Sequence, residues 1–304
     1  LLCSLACMTI LALSVFEAQA ADIFAPDASA LKRLAQRLPR RPDGLGPRAD
    51  DRQAWESVAG KPECRAAVQR AEALLTQPMP ELTDDLYLEY SRTGNRSRGE
   101  AVLNQRHGRI PILALAECAE GKGRFIPKLE ETIRAVCAEK SWVLPAHDAN
   151  LQTFNGKLII IDLASSALGW TMGTVDYLLG DRLAPEVRAL LRSELDKRIF
   201  RPYRRMCAGE QNQYWLLYRM NWNSVCLAGV TGAAMTALDD PNERAWYALA
   251  AEHYSRYALE GFPPDGYCDE GVGYWNYGFG NYAVLAETIR RATKGALDLM
   301  NCKE

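Results

Sequence analysis

Two segments of the chain combine aromatic side chains with amides and carboxylates. The first covers residues 214–223, directly before a run of small residues, and the second covers residues 263–278, where glycines and prolines predict a loop. Aromatic rings on loops stack against sugar rings, while amides and phenols make directional hydrogen bonds to hydroxyls or carboxylates. These segments predict a carbohydrate cleft, although core aromatics with satisfied polar tips would have the same composition. The candidate residues are Asn221, Trp222, Asn223, Glu270, Tyr274, Trp275 and Tyr277.

Four further candidates lie upstream of these segments. His147 follows Trp142 in a short segment without helical periodicity, and we expect both side chains to contact a substrate. Arg92 and Arg96 belong to a basic stretch that is predicted to be a loop. A guanidinium matches a carboxylate or sulfate through two parallel hydrogen bonds, so these arginines are candidates for binding an anion, with a solvated loop as the alternative. The other two histidines are predicted to be structural.

Charge and cysteine content exclude several classes of protein. The chain has 36 lysines and arginines against 38 aspartates and glutamates, so net charge favours neither nucleic acid nor an anionic membrane as a partner. Seven of the nine cysteines lie after residue 20, and no two of those seven have CxxC spacing. An odd number without that spacing argues against a zinc site and against a dense disulfide framework, leaving one or two bridges open.

The N-terminal residues predict export. Residues 1–16 are apolar, and a pattern of small residues ends at Ala20, which is typical of a signal peptidase site. The apolar stretch is shorter than the roughly 20 residues that a membrane-spanning helix needs. We therefore expect a signal peptide over residues 1–20, a mature domain over residues 21–304, a periplasmic or secreted location, and no membrane partner after cleavage. The oligomeric state is left open.

Helical periodicity dominates the mature domain and predicts an all-α fold. Alternation between amphipathic helices and helices that are apolar all round suggests inner and outer helices in an (α/α) toroid, incomplete at its C-terminal end. The helices at residues 110–119 and 127–139 are expected to pair as a hairpin. Helices are predicted at residues 29–38, 64–75, 110–119, 127–139, 157–179, 185–200, 222–238, 242–259 and 280–291.

The candidate segments resemble the heparinase II/III-like polysaccharide lyases and the related alginate lyases. The resemblance rests on the Asn-Trp-Asn motif at residues 221–223 and on residues 264–278, and it extends upstream to residues 141–148 and 91–96. It implies a toroid followed by β-sandwich domains, the latter absent from this sequence. It also implies cleavage of a uronic-acid polysaccharide, such as a glycosaminoglycan or alginate, by β-elimination without a cofactor or metal.

The chemistry of β-elimination explains why these residue types occur together. A uronate C5 proton is hard to remove beside an anionic carboxylate, so hydrogen-bond donors must neutralise that carboxylate. The resemblance assigns this role to Asn221 or Asn223, and proton exchange to Tyr274 or Tyr277, with Tyr274 preferred by its spacing. A tyrosine, with a pKa of about 10 in water, needs nearby positive charge to act as a base. Met220 replaces a histidine of many relatives, and it cannot exchange a proton.

Two other functions are compatible with the sequence. A toroidal glycoside hydrolase needs two carboxylates across its cleft, whereas Asp265, Asp269 and Glu270 all lie in one predicted loop. A protein that binds acidic glycans without cleaving them is the second alternative, and Met220 is the residue that favours it. The products distinguish the two enzymes, because elimination leaves a C4–C5 double bond and hydrolysis does not.

Overall fold

The computed structural model describes residues 21–44 and 46–301, and within these ranges it is all-α, with no strand. The predicted signal peptide and Cys302 lie outside the described residues. None of the described helices is long and apolar enough to cross a membrane. The α-helices are α1 (Ala28–Ala35), α2 (Arg52–Ala59), α3 (Pro62–Thr76), α4 (Asp84–Thr93), α5 (Ser97–His107), α6 (Arg109–Glu120), α7 (Ile126–Cys137), α8 (Leu163–Leu179), α9 (Pro185–Leu195), α10 (Arg201–Cys207), α11 (Asn221–Ala237), α12 (Pro241–Leu259) and α13 (Val272–Ala292).

The helices pack in two layers. In one layer α3 contacts α6, α6 contacts α8, α8 contacts α11 and α11 contacts α13. In the other, α7 packs against α6, α9 packs against α7 and α8, and α12 packs against α11 and α1. The contact between α6 and α7 confirms the predicted hairpin. The two most apolar helices, α8 and α11, therefore pack against each other, and α9 and α12 pack against them from outside this pair.

The most extensive contact between two helices joins α8 to α11. Apart from Trp222, α11 is buried along its whole length, and its small residues let the two backbones approach. A methyl group built on Gly229 would lie 2.6 Å from the backbone carbonyl of Ser166 in α8. Glycine is therefore required at this contact because any side chain would overlap the neighbouring backbone.

Two predicted helix starts are wrong. The helix predicted to begin at residue 157 begins at Leu163, because the Asp162 carboxylate accepts a hydrogen bond from the Ser165 N–H and Ser165 Oγ accepts one from the Asp162 N–H. This reciprocal capping ends the preceding loop at Asp162. Conversely, α13 begins at Val272 rather than at residue 280, so that Tyr274 and Tyr277 lie on its first two turns instead of in a loop.

The cysteines of the described region are free and buried: Cys64, Cys118, Cys137, Cys207, Cys226 and Cys268. Burial raises the pKa of the Cys118, Cys137 and Cys207 thiols to about 12. A thiol with so high a pKa carries almost no thiolate at neutral pH and is correspondingly unreactive. These residues therefore act as small apolar side chains of the core.

Candidate functional site

The starts of α8 and α13 are both connected to the first turn of α11, and the side chains at these three helix starts are called the cleft below. Asp162, the N-cap of α8, binds His147, and the His147 ring contacts that of Trp222 in the first turn of α11. On the other side of α11, Glu270, two residues before α13, binds Asn221. A helix N-terminus has a partial positive charge, and carboxylates already bind N–H groups at the starts of α8 (Asp162) and α11 (Glu270), whereas α13 has no side-chain cap.

A histidine and a buried aspartate form a hydrogen-bonded pair in this cleft. His147 Nδ1 lies 2.7 Å from Asp162 Oδ2, which also accepts a hydrogen bond from the Leu144 N–H at 3.0 Å. The Trp222 ring centroid lies 4.7 Å from that of the imidazole and fixes its tilt. Because the carboxylate accepts a hydrogen bond, Nδ1 is the donor of this pair, and Nε2 is the ring nitrogen left for another partner. The imidazole is thus oriented by Asp162 and Trp222.

The aromatics in the first two turns of α13 are open to solvent. Tyr274 is 53% exposed and Tyr277 is 42% exposed, while Trp275 donates its indole N–H to the Gly266 carbonyl at 3.2 Å. Partial burial raises the pKa of Tyr277, and the nearby Cys226, Asp162 and Tyr274 add to that rise. Tyr277 therefore keeps its proton at neutral pH. It lies close enough to Asp162 for that carboxylate to contribute to its raised pKa.

Asn221 and Glu270 form a second hydrogen-bonded pair. The Asn221 amide donates to Glu270 Oε1 at 2.6 Å, and the Asn221 backbone N–H donates to Oε2 at 2.8 Å. The carboxylate that Asn221 binds in this structure is thus that of Glu270, in place of the predicted uronate. The pair borders a cavity of about 340 Å³ between the start of α11, the end of α12 and the loop before α13.

Two predicted binding residues lie in the core instead of the cleft. Asn223 is 0% exposed, and its amide donates to the carbonyls of Leu216 and Tyr254 at 2.7 and 3.1 Å. Trp142 is 1% exposed, with its indole N–H donated to the Val136 carbonyl at 3.0 Å. Both side chains are closed off from solvent, so the prediction that they line an open cleft needs correction. Buried backbone carbonyls require donors, and these two side chains provide them.

The predicted basic loop is also different in the structure. Arg92 lies in α4 and binds Asp85 at 2.9 Å, while Arg96 precedes α5 and binds Glu100 at 2.9 Å. Both guanidinium groups are exposed and each has a carboxylate partner. They belong to helix ends, where acidic residues of the same or the adjoining turns neutralise them, and their availability to a ligand is reduced accordingly.

Sequence reasoning missed Asp162, which the structure places at the centre of the cleft. Its signal was an aspartate three residues before Ser165, a weak form of the capping pattern that precedes many helices. It also missed Tyr214 and Tyr218, whose rings meet edge to face with centroids 6.2 Å apart, Tyr214 also meeting Trp222. Tyr218 is exposed and extends the aromatic surface of the cleft.

The described residues contain no group of three or more histidine, cysteine, aspartate or glutamate side chains arranged to hold a metal ion. No protein-family model matches this sequence, and no curated protein matches it. The resemblance to heparinase II/III-like lyases therefore rests on the motifs quoted above.

Proposed function

We propose that this chain is an exported polysaccharide lyase that cleaves a uronic-acid-containing polysaccharide by β-elimination. The observation that carries the proposal is the His147–Asp162 pair beside Trp222 of α11, with Tyr277 of α13 near enough for the Asp162 charge to raise its pKa. A proton acceptor, a proton donor and an environment that attracts an anion are the three requirements of the reaction. We further propose that the two helical layers belong to an (α/α) toroid.

In the proposed reaction His147 is the base and Tyr277 is the acid. His147 Nε2 takes the C5 proton of the uronate, and the electron pair of the C5–H bond forms the C4–C5 double bond. The C4–O4 bond breaks, and the departing O4 oxygen takes the phenol proton of Tyr277. Asp162 orients the imidazole and stabilises its protonated form. The raised pKa of Tyr277 suits a proton donor, whereas a tyrosine base would need a lowered one.

We place the uronate carboxylate at the N–H groups of the first turn of α13, outside the cavity that Asp269 and Glu270 line. Gly271 precedes this helix and supplies no side-chain cap, whereas Asp162 already caps α8. Backbone N–H groups at an uncapped helix start bind carboxylates directly, which lowers the barrier to removing the adjacent proton. This arrangement also accommodates Met220, because the imidazole that many relatives carry at that position is supplied here by His147.

The absorbance of the products tests the proposal. We expect the full-length protein, incubated with heparan sulfate, chondroitin, alginate and polyglucuronate separately, to release products that absorb ultraviolet light on at least one polymer. Tyr277→Phe should lower the rate by about 10²–10⁴-fold because it removes the proton donor. Tyr274→Phe, one turn away, is the matched control and should have a much smaller effect.

Three outcomes would contradict this proposal in different ways. New reducing ends without ultraviolet absorbance would indicate a hydrolase. Binding to a uronate polymer without turnover by the wild-type protein would indicate a glycan-binding protein. A Tyr277→Phe variant with the wild-type rate, together with an inactive Tyr274→Phe variant, would indicate that Tyr274 is the proton donor.

A further inference from the structure

We infer that the cavity beside Asn221 and Tyr274 is a subsite for a sugar unit that carries a free amino group. The cavity lies next to the His147 cleft, because Asn221 precedes Trp222 on α11 and Tyr274 lies one turn before Tyr277 on α13. Its volume of about 340 Å³ falls within the range of small-ligand pockets. Placing the sugar beside a uronate in one polymer rests on the proposed function, whereas the preference of the cavity for an amine does not.

The cavity has an excess of negative charge. Its one cationic side chain among the described lining residues, Arg219, lies 2.9 Å from Glu260 and is neutralised by it. Asp269 and Glu270 also line the cavity, and no basic side chain pairs with either of them in the described part of the chain. Two carboxylates without a basic partner favour a cationic ligand over a sulfate or a carboxylate, although Asn221 donates hydrogen bonds to one of them, Glu270.

A buried acceptor atom of one lining residue has no hydrogen-bond partner. Asn221 is 4% exposed, and its Oδ1 atom has no hydrogen-bond partner within residues 21–44 and 46–301. Rotating the side-chain amide by 180° would not give this oxygen a partner. Oδ1 would then take the place of Nδ2, which lies 2.6 Å from Glu270 Oε1, and two acceptor oxygens would face each other. Buried acceptors are normally paired, so an ammonium or hydroxyl group at this wall would complete its hydrogen bonding.

The rest of the wall suits the apolar face of a sugar ring. Phe262, Tyr274 and Tyr282 line the cavity together with Leu259 and Pro263. Aromatic and aliphatic surfaces pack against the C–H groups of a pyranose, while the carboxylates at the rim receive its polar groups. An amino sugar combines both properties, since it has an apolar ring face and a positive charge at one edge.

Calorimetric titration with three matched trisaccharides tests this inference without requiring cleavage. The probes are a glucosamine trisaccharide, its N-acetylated form and its N-sulfated form. We expect the free amine to bind about tenfold more tightly than the acetylated sugar, about 1.4 kcal/mol, and the sulfated sugar to show no measurable binding. Asp269→Asn should remove most of the preference for the amine. Asp265→Asn, a change in the same loop outside the cavity, should leave the preference intact.

Equal affinity for the three probes, or an amine preference that survives Asp269→Asn, would overturn the inference. Far-ultraviolet circular dichroism of each variant separates a specific loss of binding from unfolding. If the amine probe binds as expected and no uronate polymer yields unsaturated products, the subsite stands and the proposed lyase function fails. If uronate polymers are cleaved and the amine probe does not bind, only the subsite is wrong.

Discussion

The three histidines of this chain show how neighbours decide the use of one residue type. Each lies against a carboxylate: His107 against Glu139 at 2.8 Å, His253 against Asp22 at 2.8 Å, and His147 against Asp162 at 2.7 Å. Only the His147 ring contacts an aromatic of the cleft, Trp222. A carboxylate partner is thus common to all three, and the position of His147 beside Trp222 distinguishes the proposed base from two structural residues.

Replacement of His147 by glutamine tests its role at this scale. A glutamine amide can still donate a hydrogen bond to Asp162 but cannot accept a proton as a base. We expect His147→Gln to lower the rate of unsaturated product formation by about 10²–10⁴-fold with little change in melting temperature. His253→Gln is the matched control, and it should retain the wild-type rate. A fully active His147→Gln variant would exclude this histidine as the base.

At the scale of elements, the packing of α8 against α11 fixes the spacing of the two helix starts that hold Asp162 and Trp222. That packing depends on small residues at points of backbone contact, above all at Gly229. Gly280, on α13, offers a contrast, because a methyl group added there would contact no atom within 4 Å among the described residues. The same residue type therefore has a packing role in one helix and none in the other.

Alanine substitutions at these glycines should have opposite effects on stability. Gly229→Ala forces the Ser166 backbone away from α11 and should lower the free energy of unfolding by about 1–3 kcal/mol. Gly280→Ala should raise it by about 0.4–1 kcal/mol, since it restricts the unfolded chain without a clash. Chemical denaturation of both variants measures the difference. A Gly229→Ala variant as stable as wild type would show that α8 and α11 can separate without loss.

At the scale of the whole molecule, the segment that precedes α1 is tied to α12 and to the loop before α11. Asp22 Oδ2 accepts hydrogen bonds from His253, Arg256 and Tyr257, and Gln213 bonds both the N–H and the carbonyl of Asp22. Burial acts to raise the pKa of Asp22, but the hydrogen bonds from His253 and Tyr257 outweigh it and hold the pKa below 3.8. These contacts join the beginning of the described chain to residues far along it.

The contribution of Asp22 to stability should depend on pH. Because its folded-state pKa is lowered, the contribution is present above about pH 4 and is lost as the pH falls through the folded-state pKa. We expect Asp22→Asn to lower the melting temperature by about 2–4 °C at pH 7, and the difference from wild type to shrink below pH 4. Glu56→Gln, on the exposed face of α2, serves as the control. A difference that is constant from pH 7 to pH 3 would contradict this assignment.

The sequence by itself determined the all-α fold and the approximate positions of many helices, because apolar periodicity is a local property of the chain. It also indicated that residues 214–223 and 263–278 are unusual, and the structure brings these segments together through Asn221 and Glu270. The predicted toroid, the export signal and the lyase activity stay predictions. The starts of helices were predicted less accurately. The start of α8 depends on capping by Asp162 and that of α13 on its continuation across glycines, and both depend on single contacts rather than on periodicity.

Only the tertiary structure decided which candidate side chains are accessible. Asn223 and Trp142 are residue types that often bind ligands, yet both donate their side-chain N–H groups to backbone carbonyls of the core. The cleft joins His147 to Asp162 and Asn221 to Glu270, pairs separated by 15 and 49 residues. Such pairs form because three helix starts pack side by side. The apolar periodicity of one segment contains no information about which other segment packs against it. The hydrogen-bonded pairs of the cleft therefore could not be predicted from the sequence.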